Sequence, residues 1–147
     1  MKWMPVMNQE SENCFPIAIK GRGNQEMIEK KILIAEDEEL VASIAQTMLK
    51  HLGYGVIIAG NGKEAYEMFQ KYQEEISMII LDYNMPEMDG LDCLDAIREQ
   101  SSIPALITTG AGLQFNEEEI KNHKAQGFIN KPYTMDEIKS KIEELIK

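Results

Sequence analysis

Four short stretches of the chain carry residues with chemical potential: Glu36-Asp37, Asp82, Thr109-Gly110 and Lys131-Pro132. Each closes or directly follows an apolar run, so each is expected at the end of a buried strand. Three carboxylates, a hydroxyl and an ammonium would then meet at one end of a sheet. If the first and third strands are neighbours, the three acids lie within a few ångströms of one another. Three like charges so close repel strongly, and the simplest relief is a divalent cation. Oxygen-only ligands favour Mg²⁺ over Zn²⁺. No histidine or cysteine lies near these stretches, so a zinc site is not expected.

The elements that must position these residues follow from the apolar periods. Residues 31–35, Lys-Ile-Leu-Ile-Ala, form a short run ending in acid and read as a strand. Residues 38–51 place Leu40, Val41, Ile44, Ala45, Met48 and Leu49 at helical spacing and stop at Gly53. A strand over 54–59 and a helix over 63–72 follow. Residues 76–81 are nearly all apolar, as a parallel strand covered on both faces should be. Asp89-Gly90 reads as a turn and helix start, a helix over 91–99 follows, and a strand over 104–109 comes next. Asn116 can cap a helix opening with Glu117-Glu118-Glu119, acids suited to the positive end of the helix dipole. Residues 127–130 form a short fifth strand. Thr134, with Glu137 three residues later, is a capping box for a last helix to about Ile146. Five strands alternating with five helices predict a doubly wound α/β fold with an open parallel sheet. In such sheets the working crevice lies beyond the carboxyl ends of the strands.

Composition bounds the rest. The 147 residues make one domain, and 44% hydrophobic content suffices for a single core. The formal charge of −10 argues against nucleic acid held by phosphate contacts and against an anionic membrane. The two cysteines, Cys14 and Cys93, make no metal-ligand spacing and fit a reducing cytosol. No apolar run approaches the ~18 residues of a membrane span, so a cytoplasmic location is expected. Before Lys31 four basic and four acidic residues cancel, so the whole negative charge belongs to residues 31–147. Residues 1–30 carry Pro5, Pro16, Gly21 and Gly23 without a sustained apolar period and read as an N-terminal extension or linker, with 31–147 as the domain.

Four motifs in order carry a family resemblance: residues 34–39 (Ile-Ala-Glu-Asp-Glu-Glu), 81–90 (Leu-Asp-Tyr-Asn-Met-Pro-Glu-Met-Asp-Gly), 107–110 (Ile-Thr-Thr-Gly) and 127–132 (Gly-Phe-Ile-Asn-Lys-Pro). Together they resemble the receiver domain of two-component response regulators, over essentially all of residues 31–147. The resemblance implies a flavodoxin-like sheet with strand order 2-1-3-4-5. It implies that Asp82 accepts a phosphoryl group from a histidine kinase or phosphotransfer protein. Asp37 and Asp82 would ligate Mg²⁺ with the Asn84 backbone carbonyl, and Glu36 would act through a metal-bound water. Lys131 would pair with Asp82 and then with the phosphoryl oxygens. Thr109 would swing its hydroxyl onto the phosphoryl group, with Gly110 leaving room. Phe128 matches the aromatic switch, which turns into space vacated by Thr109. The Lys131-Pro132 bond is a candidate cis peptide.

Strand alternation allows only one of Thr108 and Thr109 to be the switch, and the small Gly110 after it selects Thr109. Asn84 and Ala111 border the path of an attacking water and leave it fairly open, so an exceptionally long-lived phosphoryl group is not expected. The implied function is regulatory and not enzymatic. Output is expected as a protein contact on the face of helix 4, strand 5 and helix 5, since no effector follows Lys131. Two alternatives stand beside it. One reads the chain as the C-terminal receiver of a hybrid sensor histidine kinase. A Mg²⁺-dependent hydrolase of the haloacid-dehalogenase type is disfavoured, because it wants an Asp where Asn84 stands. His51 and His123 read as solvent-exposed helix residues, and Cys93 as a small apolar one.

Overall fold

A computed structural model describes residues 30–85, 87–110 and 117–146. The elements alternate: β1 (Lys31–Ala35), α1 (Glu39–His51), β2 (Gly55–Ala59), α2 (Gly62–Tyr72), β3 (Ile76–Asp82), α3 (Gly90–Arg98), β4 (Ala105–Thr109), α4 (Glu117–Asn122), β5 (Gly127–Asn130) and α5 (Met135–Leu145). All ten sit within a residue or two of the sequence expectation. The strands form one parallel sheet in the order β2-β1-β3-β4-β5, the doubly wound topology expected. Asn116 and Ala111, named above as a helix cap and as a border of the water path, lie outside the described residues, as do residues 1–29, nearly all of the segment expected as an extension or linker.

Period-two alternation sorts the apolar residues into two cores. Leu33, Ile79, Leu81 and Ile107 face one side, where α2, α3 and α4 supply Phe69, Leu94, Ile97 and Ile120. Ile32, Ile34, Met78, Ile80 and Leu106 face the other, covered by Ala45 and Leu49 of α1 and Ile138 and Ile142 of α5. Most of these side chains are fully buried. Each Leu or Ile so buried contributes roughly 1.5–3 kcal/mol before entropy is counted. The central strand β3 touches both cores, and for that reason it reads as an unbroken apolar run.

The helix starts obey local chemistry. Asn61 accepts from the Glu64 N–H at 2.8 Å, and Asp89 from the Asp92 N–H at 2.9 Å. Thr134 and Glu137 form the reciprocal capping box. α4 has six residues, against nine to thirteen in the other helices. His51 ends α1 and is exposed, as expected. His123 departs from expectation. It lies just past α4, half-buried, with Nδ1 2.6 Å from Asp95 Oδ1 of α3.

Candidate functional site

The register of the sheet assembles the site. Ala35 of β1 stands opposite Leu81 of β3, so the next residues, Glu36 and Asp82, emerge side by side. β4 adds Thr108 opposite Asp82, and β5 places Asn130 opposite Thr109, immediately before Lys131. Glu36, Asp37 and Asp82 each offer a carboxylate oxygen within 4.8 Å of the other two. Glu36 and Asp82 are buried, whereas Asp37 is exposed.

Lys131 enters from the β5–α5 loop. Its Nζ donates to Glu36 Oε1 at 3.0 Å and to Asp82 Oδ2 at 3.2 Å. The Lys131-Pro132 peptide bond is cis. Further donors reach the acids from the backbone. Asn84 N–H lies 3.3 Å from Asp82 Oδ1, and Glu38 N–H lies 3.3 Å from Glu36 Oε2. The second oxygen of each buried acid therefore faces the loop that follows it. Asn84 is itself exposed.

One ammonium cannot satisfy three carboxylates. Burial, reinforced by the charge of Asp82 and opposed by the hydrogen bond from Lys131, pushes the Glu36 carboxyl up to about 7. Burial works against the Lys131 ammonium, but its bonds and attraction to Glu36 and Asp82 outweigh that and raise its pKa above the ordinary lysine value. A cluster whose acid holds a proton near neutrality is short of positive charge. Its donors are all oxygens, with one exposed carboxylate open to solvent, and this set fits a hard divalent cation such as Mg²⁺.

Thr109 is not drawn into the cluster. It is fully buried at the end of β4, and its Oγ1 donates to Asn130 Oδ1 at 2.6 Å. Alternation places Asp82 and Thr108 on the α1–α5 side of the sheet and Thr109 on the other side, with Phe128. Phe128 is half-buried and packs on the α2–α3–α4 core. Thr109 also lies one residue nearer the carboxyl edge than Thr108, about 3.3 Å further along the strand.

Two features were not foreseen from the sequence. A Cβ on Gly90 would meet the Asp82 carbonyl oxygen at 2.4 Å, so the first turn of α3 packs directly beneath the acid strand. Tyr83, the residue after Asp82, donates its hydroxyl to Glu119 of α4 at 3.1 Å. The Asp89-Gly90 pair was legible as a turn and helix start. The Tyr83 contact had no local signal.

Comparison with known proteins agrees with this geometry. The family described as the response regulator receiver domain matches residues 32–143. A protein named probable transcriptional regulator ycf27, from Cyanophora paradoxa, is 31% identical over 122 residues, covering 83% of this chain and 50% of its own length. The transcriptional regulatory protein CrdR of Helicobacter pylori is 33% identical over 117 residues, 78% of this chain and 54% of its own. The chain thus spans about half the length of these relatives. Among solved structures, a response regulator receiver domain protein from Clostridium thermocellum superposes with a TM-score of 0.75 at 26% identity, over 80% of this chain and 94% of its own. The Vibrio cholerae chemotaxis protein CheY4 gives 0.73 at 26%, over 80% and 98%. Sheet order, acid cluster and sequence match agree, and the chain belongs to the response regulator receiver domain family.

Proposed function

We propose that this domain accepts a phosphoryl group on Asp82 from a histidine kinase or phosphotransfer protein, in a Mg²⁺-dependent reaction. The observation that carries the reading is the buried Glu36–Asp82–Lys131 cluster with Asp37 at its open edge. Asp37, Asp82 and the Asn84 carbonyl would hold the ion, with Glu36 acting through a bound water. When present, Mg²⁺ supplies the charge neutralisation that lets an anionic phosphoryl group approach anionic oxygens.

The chain's own residues do the rest. A carboxylate oxygen of Asp82 attacks phosphorus as the phosphohistidine imidazole leaves: an O–P bond forms and an N–P bond breaks. Lys131 already bridges Glu36 and Asp82 and needs only a short shift to meet a phosphoryl oxygen. Thr109, nearer the carboxyl edge than Thr108, rotates its hydroxyl toward the phosphoryl group, and Phe128 follows inward. That shift changes the α4–β5–α5 face and alters binding of a downstream protein. The domain's own role is regulatory.

Two further observations support a protein donor and a transient phosphoryl group. Beside the acid cluster lies a cavity of about 370 Å³, lined by Val41, Ile44, Met48, Gly110, Lys131 and Tyr133. Leu40 is 73% exposed and Ile44 49%, so an apolar strip of α1 leads to the reacting centre. We assign this strip to the phosphoryl donor. Asn84 is exposed at the mouth of the site and leaves a path for water, so phospho-Asp82 should decay in less than many hours. The matched region covers about half the length of the relatives named as transcriptional regulators. The formal charge of −10 disfavours phosphate contacts, and this chain's own contact is proposed to be with protein. Phosphorylation with a small acyl-phosphate donor, borohydride trapping and peptide sequencing by mass spectrometry tests the reading. The label should fall on Asp82, and a label elsewhere would refute it.

A further inference from the structure

The hydroxyl assigned above as the switch is already engaged. Thr109 Oγ1 donates to Asn130 Oδ1 at 2.6 Å, and Thr109 is fully buried. A threonine hydroxyl has one proton, so while it donates to Asn130 it cannot donate to a phosphoryl oxygen. The backbone at this point is also tied, because the Lys131 N–H donates to the Thr109 carbonyl at 2.7 Å. Rotation about the Thr109 side-chain bond is the remaining freedom, and the Asn130 contact is what such a rotation must break.

Asn130 is suited to this competition. It stands directly opposite Thr109 in the parallel β4–β5 register and is the last residue of β5, adjoining Lys131. It is also exposed. Once released, its carbonyl can be rehydrated, whereas the buried Thr109 hydroxyl must find another partner. An aliphatic residue at this position would supply no acceptor, and the hydroxyl would sit unsatisfied in the resting state.

We propose that Asn130 is a positioning residue that holds the Thr109 hydroxyl in the resting state and so opposes activation, an inference that rests on the switch role given to Thr109 above. Phosphorylation exchanges one acceptor for another: the hydroxyl leaves the Asn130 amide oxygen for a phosphoryl oxygen. Removing the amide should therefore bias the free protein toward the active arrangement, by roughly two- to tenfold for one hydrogen bond of this kind.

The test uses the full chain with Mg²⁺ and beryllofluoride as the probe, read by threonine-methyl NMR, which reports both bound fraction and the surroundings of Thr109. Asn130→Val should tighten apparent beryllofluoride binding two- to tenfold, and Asn130→Ala should give the same sign. Asn130→Asp, which keeps the acceptor, should not tighten it. In a Thr109→Val background the effect of Asn130→Val should vanish, as a general loosening of β5 would not. Unchanged binding in Asn130→Val and Asn130→Ala, or an equal shift in both backgrounds, overturns the proposal. If that happens while Thr109→Val weakens binding, the restraint alone fails. If Thr109→Val leaves binding unchanged, the switch role fails and this proposal with it.

Discussion

The Glu36–Asp82–Lys131 cluster and the Thr109–Asn130 pair lie within one strand of each other, yet different physics holds them. The first is built from buried charges with opposed needs. Two carboxylates share one ammonium, and one of them is pushed toward neutrality by burial and by its neighbour. The second is a single neutral hydrogen bond between a buried hydroxyl and an exposed amide. Energies follow the same division. A broken buried ion pair costs several kcal/mol, whereas a neutral hydrogen bond contributes about 1 kcal/mol net. A site that must bind an anion strongly is built from the first kind of interaction. A device that must move on binding is built from the second.

Removing the cation from the strong side should have the largest effect. Lys131→Ala leaves Glu36 and Asp82 facing each other without a partner. The metal-free protein should lose about 3–5 kcal/mol in urea unfolding, with part of the loss recovered by Mg²⁺. An equal loss with and without Mg²⁺ would show that the cluster is not what the lysine supports.

Gly90→Ala strikes the same region from below. Its Cβ would press on the Asp82 carbonyl oxygen, and neither backbone can yield without moving the other. A destabilisation of about 1–3 kcal/mol is expected, with weakened Mg²⁺ binding because the acid strand shifts. Isothermal titration of Mg²⁺ into the folded variant reads the second effect.

The pH dependence follows from Glu36. Its folded pKa is about 7, against 4.5 for the free group, so between these values the folded state binds more protons than the unfolded. Stability of the metal-free protein should then fall as pH rises from about 4.5 to about 7. Glu36→Gln should flatten that part of the profile in thermal melts with a chelator present. A metal-free profile that rises through this window in the wild type and is unchanged in the variant would contradict the account.

On the weak side the effects shrink. Thr109→Val should reduce beryllofluoride binding by roughly three- to tenfold with little change in stability beyond ~1 kcal/mol. Thr108→Val should change binding less than twofold, although Thr108 stands opposite Asp82. The reverse ranking would move the switch to Thr108.

The sequence made the strong side legible because each of its charges ends an apolar run. Glu36, Asp82 and Lys131 could be placed at strand ends from period and composition alone, and the family resemblance supplied the order of those strands. Thr134 and Glu137 were readable for a different reason: a capping box is a contact three residues long. What stayed hidden depends on tertiary approach. Asn130 meets Thr109 across 21 residues, Tyr83 meets Glu119 across 36, and His123 meets Asp95 across 28. Gly90 was readable as a helix start, but the reason a side chain is excluded there lies in the Asp82 carbonyl above it. The proton affinity of Glu36 is likewise set by burial and by Asp82, neither of which a linear pattern can rank.

The most direct test of the central claim is an intact-mass spectrum of the chain after incubation with a small acyl-phosphate donor, with and without Mg²⁺, beside Asp82→Asn. One phosphoryl adduct that requires Mg²⁺ and is lost in the variant is the predicted result. Well-folded wild-type protein that gains no adduct, or an adduct that survives Asp82→Asn, would contradict the assignment of Asp82 as the acceptor.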